Sequence, residues 1–110
     1  MPFRCFMDLA LNDPEHGFYG AGHAHIGTDG DFVTSPSLGA DFAALLAVQL
    51  IPWLKTLSPA KPLSVVEIGP GEGHLAADLL QALQQQDADL IDRLELVLVE
   101  SAGGMRERQE

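Results

Sequence analysis

The sequence has a single cysteine, Cys5, so no internal disulfide can form, and the chain suits a reducing compartment. Basic residues are scarce: six Lys and Arg stand against sixteen Asp and Glu, a formal net charge of -10. That balance argues against a nucleic-acid backbone as partner and mildly favours basic ones. No apolar run is long enough to cross a bilayer. The most apolar segment, Phe42 to Leu54, is short and carries Gln49 and Pro52. The N-terminus lacks the basic start and long apolar run of a secretory signal, and there is no internal repeat or low-complexity tract. From these absences a soluble, cytoplasmic protein of bacterial type is expected. Its 110 residues make one small domain with a modest core.

What is present is organised around Leu63 to Leu83 (LSVVEIGPGEGHLAADLLQAL). Leu63, Val65, Val66 and Ile68 read as a strand buried on both faces. The chain then breaks at Gly69, Gly71 and Gly73. A helix follows, with Leu75, Leu79, Leu80 and Leu83 on one face and Asp78, Gln81 and Gln84 on the other. A strand, glycine turn and helix start allow close backbone approach by a ligand with a nucleotide-like part. His74 stands where a dinucleotide fingerprint needs a third small residue, and His74-Leu75 replaces the Lys-Ser/Thr of a phosphate loop. Glu67, two residues before the first glycine, would repel a pyrophosphate but suits a ligand carrying an ammonium group. A second apolar strand, Leu94 to Val99, ends at Glu100, beside the turn in a right-handed crossover. A carboxylate there can accept the hydroxyl protons of a ribose.

Upstream, Pro2 to Leu11 reads as a short helix with Phe3, Phe6, Met7, Ala10 and Leu11 as a core-forming stripe, and Cys5 as a small core residue. Asn12-Asp13-Pro14 stops it. Glu15 to Ser37 shows no sustained period, yet Phe18, Tyr19, Phe32 and Val33 argue for order. His23 and His25 lie near Asp29 and Asp31, but no fourth ligand is spaced to close a metal site, and no metal is expected. Ser35 or Ser37 can cap the helix over Leu38 to Ile51, whose Phe42, Leu45, Leu46, Gln49 and Trp53 face one way toward the core. Pro52 ends or kinks that helix, and Thr56 to Pro62 is a linker. Ala88 to Arg93 reads as another helical turn. Gly103-Gly104 breaks the chain before the start of a helix at Met105 to Glu110.

Several separated motifs agree with one family. FMDLALNDPEHGFYG, GDFVTSP, VEIGPGEGHLAADLL, and LVLVE followed by MRERQ resemble the MidA family of class I S-adenosylmethionine-dependent methyltransferases. Mitochondrial members of that family are implicated in respiratory complex I assembly through arginine methylation. The resemblance implies an α/β, Rossmann-like fold, incomplete here, with the first two parallel strands and an N-terminal helical extension. Residues 1–62 would be that extension and residues 63–110 the start of the cofactor domain. Glu67, Gly69, Gly71 and Gly73 would then line the methionine end of S-adenosylmethionine, and Glu100 would hold the ribose. The GDFVTSP loop looks like a lid, with Phe32, Thr34 and Ser35 as cofactor contacts and Asp31 as a candidate acid facing a guanidinium. Ser37 departs from a glutamate common in the family, and Ser101 to Gly104 replaces a more proline-containing turn. Family members continue well beyond 110 residues, so the chain is expected to be an N-terminal portion that is inactive alone and prone to self-association.

The function so implied is methyl transfer to a protein substrate, an arginine nitrogen by analogy and a respiratory-complex subunit by the same analogy. Two other classes stay open: a non-catalytic binding or assembly module with a nucleotide fold, and a NAD-dependent oxidoreductase, which Glu67 and the position of Gly73 disfavour.

Overall fold

A computed structural model describes residues 1–57, 62–107 and 109, with the backbone alone for Ser37 and Leu38. In chain order the elements are α1 (Phe3–Asn12), a 3-10 turn (Ser35–Leu38), α2 (Ala40–Thr56), β1 (Leu63–Ile68), α3 (His74–Gln86), α4 (Ala88–Ile91), β2 (Leu94–Val99) and α5 (Gly103–Arg106). Residues 58–61 of the expected linker, and Arg108 and Glu110 of the expected terminal helix, lie outside the described residues.

The strands pair in parallel, from Leu63 opposite Leu94 to Ile68 opposite Val99. Parallel neighbours need a crossover, and α3 with α4 supplies it, which makes the α/β, Rossmann-like reading correct. The helices cover one face of the pair. Leu63 packs with Ala43, Ala47 and Leu54 of α2, Leu79, Ala82 and Leu83 of α3, and Leu90 of α4. The alanines at that contact, both fully buried on α2, let the two helices lie close together. Gln86 Nε2 donates to the Ala44 carbonyl at 3.1 Å, and Lys55 pairs with Asp87, so the C-terminal end of α3 is tied to α2 at two points as well.

Several expectations for the core are corrected. β1 is not buried on both faces: Leu63 and Val65 meet the helices, while Val66 and Ile68 point away, Ile68 82% exposed. A strand is covered twice only where helices lie on both faces, and here they lie on one. On α2 the buried positions are Ala43, Ala47 and Leu54, whereas Phe42, Leu45 and Trp53 face outward, Trp53 58% exposed. α2 is apolar on nearly all sides, so its period does not choose a face; close contact with α3 selects the small one. Leu80 is likewise part-exposed on α3.

The α1 stripe is not core either. Phe3, Phe6, Met7 and Ala10 are exposed, as is Cys5, and Phe3 and Phe6 stack on each other. α1 is held through its main chain, by Phe18 N–H to Ala10 O at 2.9 Å and Tyr19 N–H to Leu11 O at 2.8 Å. The helix after the 3-10 turn begins at Ala40, with Gly39 at its N-cap and no side-chain cap, so Ser35 does not cap it; the Ser37 side chain lies outside the described residues. Pro52 does not end α2, which continues to Thr56. The carbonyl deprived of a donor by Pro52 is that of Val48, on the exposed side where water can reach it. Finally, α5 starts at Gly103, so the two glycines open that helix instead of breaking the chain.

Candidate functional site

The site begins where β1 ends. Gly69 N–H donates to Val99 O at 2.8 Å, carrying the parallel ladder one step past the strand. The backbone then turns on three alternate glycines, Gly69, Gly71 and Gly73, with φ of 68°, 58° and 82°. A side chain at a left-handed position costs roughly 1–2 kcal/mol, so this conformation belongs to glycine. Gly73 N–H closes the turn on Pro70 O at 3.0 Å, and Gly73 is the N-cap of α3.

Above the turn lies a cavity of about 630 Å³, within the range of small-molecule sites. One wall is the turn itself, with Glu67, Gly69, Gly71, Glu72 and His74. A second follows β2, with Glu100, Ser101, Ala102 and Met105. The third is the irregular loop, with Tyr19, Ile26, Thr28, Phe32, Thr34 and Pro36. Register explains the first two walls. Glu67 pairs with Leu98, and Glu100 lies two residues beyond Leu98 on the same side of the pleat.

The structure therefore brings together Glu67, Gly69, Gly71, Glu100, Phe32 and Thr34. Gly73 sits at the helix cap, and Asp31 and Ser35 are not among the lining residues. The Asp31 carboxylate accepts the His25 N–H at 2.8 Å, and Asp31 N–H donates to His25 O at 2.6 Å; these bonds staple the loop. Ser35 opens the 3-10 turn. Among the described residues no group of three or more His, Cys, Asp or Glu is placed to hold a metal.

Charge in the cavity has one sign. Glu67, Glu72 and Glu100 line it, and no described Lys or Arg does. Burial pushes the Glu67 carboxyl above the usual carboxylate value. Glu100 is oriented by the Ala102 N–H, which donates to Oε1 at 3.0 Å. Such a cavity favours cations and hydroxyl donors over phosphates.

Sequence reasoning missed the clasp behind the third wall. Ala24, Ala102 and Met105 are buried together, packed by Phe18, Tyr19 and Ile26. Gly104 N–H donates to Gly20 O at 3.0 Å, and a Cβ on Gly104 would lie 2.4 Å from Gly22 N. The glycines at positions 20, 22 and 104 were the available signal. Glu72 and His74 were also missed as cavity residues, although Glu72 stands inside the glycine motif and His74 directly after it.

Residues 45–110 match a family model described as S-adenosyl-L-methionine-dependent methyltransferase. The chain is 38% identical over 92 residues to the Drosophila melanogaster protein named protein arginine methyltransferase NDUFAF7 homolog, mitochondrial, covering 81% of this chain and 21% of that one. It is 44% identical over 77 residues to protein arginine methyltransferase NDUFAF7, mitochondrial, of Xenopus tropicalis, covering 69% and 17%. Among solved structures it is similar to a COG1565 superfamily member from Burkholderia thailandensis bound to S-adenosyl-homocysteine, with a TM-score of 0.71 and 34% identity over 99% of this chain and 28% of that one. The chain thus spans about a fifth of the length of these curated relatives.

Proposed function

We propose, from the premise that the chain belongs to the S-adenosyl-L-methionine-dependent methyltransferase family that matches residues 45–110, that its glycine turn and cavity form the cofactor site of a protein arginine N-methyltransferase. One observation carries the reading: Glu67 and Glu100 stand at adjacent strand ends, flank the left-handed glycines and open onto one cavity without Lys or Arg among its described lining. These residues fit the cofactor, which has an ammonium group and a ribose but no phosphate. Glu67 would hold the ammonium. Gly69, Gly71 and Gly73 would let the backbone approach the methionine end, and Glu100 would accept the ribose hydroxyls. Phe32, Thr34 and Ser35 belong to the loop that would cover the site.

When bound, the cofactor supplies a methyl group already activated by a positively charged sulfur. What remains for the chain is positioning and the exclusion of water from the acceptor nitrogen. The bonds of Asp31 to His25 give it a loop-holding task in this reading, and no residue is assigned as catalytic base. An arginine acceptor is supported by the names of the relatives; a respiratory-complex subunit as its bearer rests on the family resemblance alone. Those relatives are named as mitochondrial, so a cytoplasmic location for this chain is a separate proposal, checked by cell fractionation. No helix among the described residues is long and apolar enough to cross a membrane.

Calorimetric titration tests the site. Saturable binding of S-adenosylmethionine but not NAD, lost in a Glu67→Ala, Glu100→Ala variant, is the expected result. NAD binding in its place, or binding untouched by the two substitutions, overturns the reading. In a protein spanning the full length of the relatives, conversion of the cofactor to S-adenosylhomocysteine with an arginine-rich protein present separates an enzyme from an assembly module.

A further inference from the structure

Glu72 is the third carboxylate of the cavity, and the cofactor reading gives it no task. It stands on the turn between Gly71 and Gly73, directly before the N-cap of α3. Its side chain is 21% exposed, it lines the cavity, and its Oε2 lies 3.1 Å from Nε2 of His74, the first residue of α3. Glycines leading into a helix N-terminus are the usual cradle for nucleotide phosphates, because backbone N–H groups and the helix dipole both favour an anion. α3 has no side-chain cap and no acidic residue in its first turn. The negative charge at this end is therefore supplied by a residue of the turn itself.

We propose that Glu72 is a specificity-determining residue: its carboxylate bars phosphate-bearing nucleotides from the turn and leaves adenosine compounds without phosphate as the class admitted. The proposal rests on the cavity holding an adenosine compound. Two like unit charges about 5 Å apart, at the effective dielectric near a protein surface, repel by an amount worth roughly a hundredfold in affinity. Solvent in the open part of the cavity reduces this to roughly tenfold. The Glu67 carboxylate repels phosphate too, but it belongs to β1, so changing Glu72 removes the charge on the turn alone.

The test is calorimetry of ADP and of adenosine on the whole chain and on Glu72→Gln and Glu72→Asp. The ratio of ADP to adenosine affinity is expected to rise at least tenfold in Glu72→Gln and to stay near the parent value in Glu72→Asp, which keeps the charge. An unchanged ratio in Glu72→Gln, an equal rise in Glu72→Asp, or no ADP or adenosine binding to the Gln variant at millimolar concentration overturns the proposal. Adenosine binding without S-adenosylhomocysteine binding sinks the cofactor reading alone and leaves the Glu72 comparison intact.

Discussion

Replacing Gly104 by alanine asks whether the cavity's loop wall is held by backbone contact. The added Cβ would lie 2.4 Å from Gly22 N, 2.6 Å from Gly22 Cα and 2.9 Å from Ala21 C. All three are main-chain atoms, so no side-chain rotation relieves the overlap, and α5 must move away from the loop. The move breaks the Gly104 N–H to Gly20 O bond, worth about 1 kcal/mol net, and uncovers part of Met105, whose full burial is worth roughly 1.5–3 kcal/mol. The loop wall should therefore lose about 1.5–3 kcal/mol, which raises its opening about tenfold or more. Ala24 N–H, bonded to Phe18 O at 3.0 Å, reports this directly by hydrogen exchange. Leu79 and Leu83 of α3 belong to the other buried cluster, and their amides should keep their protection. Gly69→Ala is the contrasting case. Nothing lies within 4 Å of its added Cβ, so only the left-handed φ is penalised, by roughly 1–2 kcal/mol, and the Ala24 amide should not respond. Unchanged Ala24 exchange in Gly104→Ala, or equal loss across α3, would refute the clasp.

Two further predictions concern charge and exposed apolar surface. Burial raises the Glu67 pKa, so the folded chain holds that proton more tightly than the unfolded one, and the associated stability is lost as pH rises from the usual carboxylate range through the raised value. An ammonium ligand reverses the preference: S-adenosylmethionine affinity should rise with pH over the same window and binding should release a proton, seen as a buffer-dependent enthalpy that disappears in Glu67→Gln. Phe3, Phe6, Leu45, Trp53 and Ile68 leave wide apolar surface exposed, so the chain should self-associate despite its net charge of -10. Leu45→Lys with Ile68→Lys should shift it toward monomer in sedimentation, although both changes weaken charge repulsion; a monodisperse monomeric parent in light scattering argues against this.

The parts of the fold legible in the sequence were those in which local chemistry and tertiary demand agree. The β-branched run at Leu63 to Ile68, the glycine turn and the Leu79–Leu83 stripe each specify one conformation, and the observed β1, turn and α3 follow them. Facing was less legible, because it depends on what else is packed nearby. On α2 a stripe of large residues and a stripe of alanines both run at helical spacing, and the pattern favours the larger. Packing against α3 favours the smaller, because Ala43 and Ala47 allow close approach where Phe42 and Leu45 would hold the helices apart. The α1 stripe has the same origin: periodicity shows that a face is apolar, and only the rest of the structure shows whether anything covers it.

The cavity divides along the same line. Its floor was readable because Glu67, the glycines and Glu100 are fixed by strand register, a local rule projected across one crossover. Its loop wall was legible only in part: the family resemblance pointed to Phe32 and Thr34, but positions 19 and 26 come from a stretch without period, held by contacts between segments distant in sequence. The informative signal there was steric. Gly20 and Gly104 sit where an added Cβ would strike main-chain atoms, Asn12 O at 2.4 Å and Gly22 N at 2.4 Å respectively. A glycine read as a chain breaker thus marked a point of closest approach, and the two kinds are indistinguishable until both partners are placed. Glu72 follows from the same reasoning. Inside a glycine motif it reads as a variable spacer, but on the folded turn it becomes a half-buried negative charge directly before a helix start, facing the cavity where an anionic ligand would lie.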